Sequence, residues 1–338
     1  KFTIYLRKFL FMKKIVGIGN ALVDIMTPIP DDSYLKRFDL PKGSMTMVDA
    51  DQSAKIKEVI RPLNSTLASG GSAGNTLYGL GVLGIESAFI GKVGRDDLGN
   101  FYEKDMVDAG LQPFMLRSDT QTGTAVAFVS NDSERTFATH LGAAVELQGT
   151  ELEDRFFKGK DILYIEGYLI YNYPLVEQAC RLAKENNMMV AIDLASFNVV
   201  TEKLADFRKV IELYADIVFA NEEEAKAISG LNPRDALDLL AEKCSIAVVK
   251  LGADGSLIKR GDEIIKVDAL KSNPIDTTGA GDLYASGFLY GYSNGFQLDK
   301  CGLFGSVLAG NVIEVMGARM SPQKWAEARE QIRNIEEE

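Results

Sequence analysis

The stretch Asp276-Thr277-Thr278-Gly279-Ala280-Gly281-Asp282, running on into Leu283, Tyr284, Phe288 and Leu289 at helical spacing, decides how the rest of the chain is read. Small residues where a helix begins let backbone N–H groups come close to an anion, and the helix dipole adds a favourable field there. An oxyanion or phosphoryl group therefore belongs at Gly279, Ala280 and Gly281. A carboxylate in the same first turn, Asp282, repels such a ligand. It makes sense if its task is to take a proton from a hydroxyl that then attacks phosphorus. The alternative is a capped helix whose acidic residue complements its dipole.

Outward from this turn, short apolar β-rich runs alternate with longer helical patterns over most of the chain. Strands are expected at 15–18, 87–90, 162–165, 189–193, 217–220 and 246–250, and helices at 98–109, 173–186, 201–214 and 233–243. Repeated βαβ units of this kind predict an α/β fold with a doubly wound, mostly parallel sheet and helices on both faces. Two stretches break the alternation. Residues 27–48 carry Pro28, Pro30 and Pro41 and end in SMTMV, and residues 113–140 read as strands PFMLRS, GTAVAFVS and RTFATH around the turn residues Asn131-Asp132-Ser133. They predict a small β-sheet lid beside the core, with edge strands of the main sheet as the alternative. The domain division is a core at 12–26, 49–112 and 141–338, and a lid at 27–48 and 113–140. Residues 1–11 are basic and apolar but interrupted by Arg7 and Lys8, and they are expected to be a leader or cloning remnant ahead of Met12.

Composition bounds the function. Among 338 residues, 37 Lys+Arg against 48 Asp+Glu give a formal charge of -11, which argues against nucleic acid or an anionic membrane as partner. No apolar run is long enough to span a bilayer. Cys180, Cys244 and Cys301 lie far apart with no CxxC spacing, as expected of reduced thiols in the cytoplasm. His140, the sole histidine, leaves little room for a Ser-His-Asp triad or a histidine-rich metal site.

Four further groups carry chemistry. Gly70-Gly71-Ser72-Ala73-Gly74-Asn75 enters a small-residue helix, where glycines permit close backbone approach and Asn75 offers a donor and an acceptor to a polyol; tight helix packing is the alternative. Gly17-Ile18-Gly19-Asn20-Ala21-Leu22-Val23-Asp24 lacks the third glycine of a dinucleotide fingerprint. Its Asp24 is expected at the strand's carboxyl end, accepting hydrogen bonds from substrate hydroxyls. Asn221-Glu222-Glu223-Glu224 suits Mg²⁺ held through water or a plain helix start, and Lys250-Leu251-Gly252-Ala253-Asp254-Gly255 a nucleotide segment or a hairpin. No GxxxxGK[ST] occurs, which excludes a P-loop mechanism.

Taken in order, Asp24, GGSAGN at 70–75, IGKVGRDDLG at 90–99, NEEEA at 221–225, KLGADG at 250–255 and DTTGAGD at 276–282 resemble the ribokinase-type, or phosphofructokinase-B, family of carbohydrate and nucleoside kinases. The resemblance runs from about Ile15 to Arg319. It implies ATP-dependent phosphorylation of a hydroxymethyl group on a small-molecule substrate, with Mg²⁺ and commonly a monovalent cation such as K⁺. Asp282 matches the catalytic base, and Gly279, Ala280 and Gly281 the anion hole. Asn20, Asp24, Gly70, Gly71 and Asn75 match the substrate-hydroxyl positions. Asn221 and Glu224 match the pair that organises Mg²⁺ and phosphate. Lys250, a position often held by threonine in the family, matches the nucleotide segment with Gly252 and Gly255. Asp276 and Thr278 match a monovalent-cation loop whose other side comes from near Gly317 and Ser321. Arg135-Thr136 with Leu141-Gly142-Ala143-Ala144, YIEGYL at 164–169 and VMGAR at 315–319 resemble the adenosine-kinase-like branch, which implies a nucleoside or ribosyl substrate. A free sugar such as ribose, fructose or keto-deoxygluconate is the alternative. The lid's edge strands offer a route to a homodimer. The competing class is a non-catalytic sugar or nucleoside sensor on the same fold, which has no need of Asp282 in the anion turn.

Overall fold

The computed structural model describes residues 12–132 and 134–338; the leader expected at 1–11 lies outside the described residues. Along the chain the strands are β1 (Ile15–Ile18), β2 (Leu22–Pro28), β3 (Met45–Met47), β4 (Thr66–Ser69), β5 (Ser87–Gly94), β6 (Gln112–Ser118), β7 (Thr122–Val129), β8 (Arg135–Gly142), β9 (Ile162–Glu166), β10 (Met189–Asp193), β11 (Ile217–Asn221), β12 (Ile246–Lys250), β13 (Ser256–Arg260) and β14 (Glu263–Val267).

Nine of them form one sheet in the order β14-β13-β12-β11-β10-β9-β1-β5-β6. It is parallel from β12 through β6 and ends in the antiparallel meander β12-β13-β14. Strands buried on both faces are mainly apolar, and every residue of β1, β5 and β9 is buried, with Ser87, Lys92 and Glu166 as the exceptions in character. Successive residues then feed opposite cores. Ile15, Phe89, Tyr164, Ala191 and Phe219 pack with Leu77, Leu80, Tyr284 and Phe288 on one face. Val16, Ile90, Leu163, Val190 and Val218 pack with Leu175, Phe207, Val210 and Leu237 on the other. The α/β fold with helices on both faces is as expected. The helix expected at 201–214 is two: Phe197–Glu202, capped by Ser196, and Leu204–Leu213, broken at Lys203 with φ -112 and ψ 30.

The second sheet has five strands in the order β3-β8-β7-β2-β4. Its membership differs from the expected lid at two places. PFMLRS lies in β6, which pairs in parallel with β5 on the large sheet, because the strand that follows Asp97–Asp108 completes a βαβ unit at an open edge. Conversely, the chain leaves β1 at Ile18 and enters the small sheet at Leu22, so β2 and β4 belong there although they were assigned to the core. Asp24 consequently stands on β2 of the small sheet, not at the carboxyl end of β1.

Candidate active site

A cleft of about 1810 Å³ is lined both by the carboxyl ends of the parallel strands and by the small sheet. Open α/β sheets bind ligands at those strand ends. At its floor the helix Ala280–Ser293 begins from Gly279, whose φ of 75 is left-handed; a β-carbon there would also stand 2.6 Å from Ala318 Cβ. Ala280, Gly281 and Asp282 open a first turn that lines the cleft, with the Ala280 N–H donated to the Thr277 carbonyl at 3.2 Å.

Asp282 joins two distant motifs. Its carboxylate accepts hydrogen bonds from Ser72 Oγ at 2.7 Å and from Asn75 Nδ2 at 2.9 Å. Burial raises its pKa to about 6, with a further push from Asp193 and opposing pulls from the two hydrogen bonds and Lys250. Asn75 Oδ1 in turn accepts from Arg319 Nη1 at 2.8 Å, which fixes the amide with its donor toward Asp282. Asn75 thus gives one of its two Nδ2 N–H donors to Asp282. Arg319 is held by Ser69 and lies 3.8 Å above the Tyr78 ring.

Asp24, Asn20, Gly70 and Gly71 meet beside this pair. A β-carbon at Gly70 would run into the Asp24 carboxylate, and Gly71 combines a φ of 83 with close approach to the Asn20 carbonyl. Burial raises Asp24 to about 6 against the pull of Arg319. Asn20 is anchored by Glu166, which accepts from its amide at 2.9 Å, from its Nδ2 at 2.6 Å and from Ala73 N–H at 2.9 Å. Glu166 is 1% exposed, and burial raises its pKa to about 7. Neither Glu166 nor Arg319 was expected as a site residue; each appeared only within a branch-marking segment.

Asn221, Glu224, Lys250, Gly252 and Gly255 also line the cleft. Asn221 and Glu224 form a reciprocal cap, with Glu224 accepting from Asn221 N–H at 2.8 Å and Nδ2 at 2.7 Å while Asn221 Oδ1 accepts from Glu224 N–H at 2.8 Å. Burial raises Glu224 to about 7, with Asp193 adding to it and Lys250 opposing. Among the described residues no three acidic, histidine or cysteine side chains converge to ligate a metal directly. With both Glu224 oxygens already accepting hydrogen bonds, this donor set fits a Mg²⁺ held through its own waters. Lys250 Nζ donates to Asp193 Oδ2 at 2.8 Å. Burial opposes its charge, but Asp193 and Glu224 outweigh burial and raise its pKa. Gly252 and Gly255 line the adjoining slot with Ala269, Leu270 and Ile313.

Asp276 and Thr278 sit otherwise than the resemblance implies. Asp276 accepts from the Arg135 guanidinium of β8, from Thr278 N–H at 2.9 Å and from Gly317 N–H at 2.6 Å, and Thr278 Oγ1 accepts from Arg135 at 2.6 Å. A cation already holds the oxygens that a monovalent ion would need, so the arrangement does not fit one. Ser321 caps the last helix by accepting from Lys324 N–H at 3.2 Å.

A carboxylate of raised pKa beside an anion-binding turn, with buried acids and an ammonium behind it, can take a proton from a hydroxyl while a phosphoryl group passes to it. Known proteins carry the same frame. A solved adenosine kinase from Sinorhizobium meliloti is 36% identical, with a TM-score of 0.82 over 94% of this chain and 99% of that one. A probable sugar kinase from Rhizobium etli is 32% identical, with a TM-score of 0.83 over 95% of this chain and 98% of its own. An uncharacterized sugar kinase from Archaeoglobus fulgidus is 31% identical over 71% of this chain and 96% of its length. The match to the pfkB family of carbohydrate kinases extends over residues 39–325, and this chain belongs to that family.

Proposed function

We propose that this phosphotransferase passes the γ-phosphoryl group of ATP to the hydroxymethyl group of a nucleoside, with Asp282 as the general base. The observation that carries the reading is the placement of Asp282. It is oriented by Ser72 and Asn75, raised to about 6, and set in the turn of Gly279, Ala280 and Gly281. Asp24 faces the same floor as a hydrogen-bond acceptor for substrate hydroxyls. Asn221, Glu224, Gly252 and Gly255 border the nucleotide end, where Asn221 and Glu224 would hold Mg²⁺ through water. When bound there, the ion supplies neutralisation of phosphate charge.

The nucleoside, rather than a free sugar, follows from the far wall. Met45, Met47, Ala125, Phe137, Leu141 and Val145 all line the cleft, and Met45 and Met47 are 62% and 56% exposed. A polyol has no apolar surface to cover these side chains, whereas a nucleobase does. The second reading, a free-sugar kinase, is favoured by the likeness to relatives named as sugar kinases. A panel of adenosine, inosine, ribose, fructose and keto-deoxygluconate, followed by ATP consumption and ³¹P spectra of the product, tests the choice. A nucleoside 5′-monophosphate is expected, and preferential phosphorylation of a free sugar contradicts it.

A further inference from the structure

The Lys250–Asp193 pair reaches beyond the roles given so far. Both side chains are buried, at 13% and 7% exposure. Asp193 ends β10 and Lys250 ends β12, on either side of β11, whose end is Asn221. The ammonium does not stop at its partner: a β-carbon built on Gly281 would stand 3.1 Å from Nζ, and no other atom comes within 4 Å of it. Nζ therefore lies against the anion turn itself. Three buried acids, Asp193, Glu224 and Asp282, share the field of this one ammonium. Without it, Asp193, Glu224 and Asp282 would have no ammonium among them.

We propose that Lys250 is a catalytic residue of the phosphoryl transfer, its ammonium passing from Asp193 to the oxygens of the moving phosphoryl group, and that Asp193 is the positioning residue that holds it over the turn beforehand. This rests on the proposed roles of Asp282 and of Gly279 to Gly281. In the step, the bond from the substrate oxygen to the γ-phosphorus forms and the bond from that phosphorus to the β,γ-bridging oxygen breaks. The bridging electron pair leaves with ADP, and the hydroxyl proton goes to Asp282. Lys250 gives up no proton; its charge moves by a side-chain rotation from a carboxylate to a more highly charged acceptor, inside a site where such pairs are little screened. The alternative is an ion pair that only ties β10 to β12.

Lys250→Met, Asp193→Asn and the double variant separate the two. Lys250→Met is expected to lower kcat by about 10²- to 10³-fold, the scale of losing one preorganised charge-stabilising group. It also leaves Asp193 buried and unpaired, so its thermal midpoint falls. The double variant removes both charges, recovers the thermal midpoint and stays as slow as Lys250→Met. The acid limb of kcat/KM supplies a readout that mere stability does not move. Lys250 lowers the pKa of Asp282 and Asp193 raises it, so Lys250→Met shifts the limb to higher pH and Asp193→Asn to lower pH. The other titratable groups sharing a field with Asp282, namely Asp24, Tyr164, Glu166 and Tyr168, stay in place in all three variants. Recovery of kcat together with stability in the double variant, or a Lys250→Met kcat close to that of the unsubstituted chain, overturns the proposal. If the unsubstituted chain transfers phosphate to no acceptor, or Asp282→Asn matches it in rate, the parent assignment falls and takes this one with it.

Discussion

On the core side of the cleft, the groups that carry charge stand at the ends of parallel strands or in the first turn of a helix: Glu166, Asp193, Glu224, Lys250 and Asp282. Each is fixed by a named partner, and Asp282, Glu166 and Glu224 are raised toward neutrality by burial. The small-sheet side is the opposite case. Its lining is mostly apolar, Met45, Met47, Ala125, Phe137 and Leu141 around the polar Asp24 and Thr139, with Arg135 reaching across to Asp276. One wall thus holds dipoles and charges that need no reorganisation when a phosphoryl group arrives, and the other presents mainly apolar surface, with Asp24 as its acceptor for hydroxyls. The contrast teaches a division of labour: chemistry on the rigid wall, acceptor choice on the apolar one.

Substitutions on the two walls should therefore fail differently. The largest effect is expected from Asp282→Asn, which removes the base but keeps an acceptor for Ser72. kcat should drop by about 10²- to 10⁴-fold, with ATP affinity measured by calorimetry nearly unchanged. Asp24→Ala comes next, because it deletes a charged acceptor for substrate hydroxyls: KM for the acceptor should rise by roughly 10- to 100-fold, with KM for ATP as internal control. An equal loss for both substrates would point to misfolding instead. Phe137→Ala, on the apolar wall, should raise acceptor KM by about tenfold for a nucleoside and leave kcat untouched. A fall in kcat there would break the division between the walls.

The smallest effect concerns pH, and it sets activity against stability. Asp282 must be ionised to act, so kcat/KM should decline below about pH 6. For stability the sign is reversed. Asp24 and Asp282, raised to about 6, and Glu166 and Glu224, raised to about 7, hold protons in the folded chain at pH values where the unfolded chain has released them. Their contribution to folding is fully present below the unfolded values and lost as pH rises through about 6 to 7. Urea midpoints of the ligand-free protein should accordingly be higher at pH 5.5 than at pH 8. The opposite order would show that the buried acids of the cleft are ionised without cost.

How much of this could be read from the chain follows the same division. The anion turn, the Asn221 and Glu224 cap and the strand ends announce themselves because neighbours in sequence are neighbours in space, and glycines mark the close approaches. The small sheet does not announce itself. Whether β2 and β4 or PFMLRS belong to it depends on pairings between residues far apart, such as Leu22 with Gly123 and Val23 with Ser69. Asp193 lies in no local motif, and the segments holding Glu166 and Arg319 mark a branch without pointing to a site role. A signal existed for two of them: Glu166 and Asp193 each close an otherwise apolar strand, and an acid at that position is costly unless it has a partner. Asn75 is legible as a site residue, but its contact with Asp282 is not, since it spans 207 residues of chain.

The most direct test of the two-wall division is a competition. With adenosine and ribose present together at equal concentration, phosphate transfer from ATP is followed by ³¹P spectroscopy for the unsubstituted chain and for Phe137→Ala. Predominant nucleoside 5′-monophosphate, with the preference reduced in Phe137→Ala, is the predicted result. Predominant ribose phosphate, or a preference that Phe137→Ala leaves intact, would contradict it.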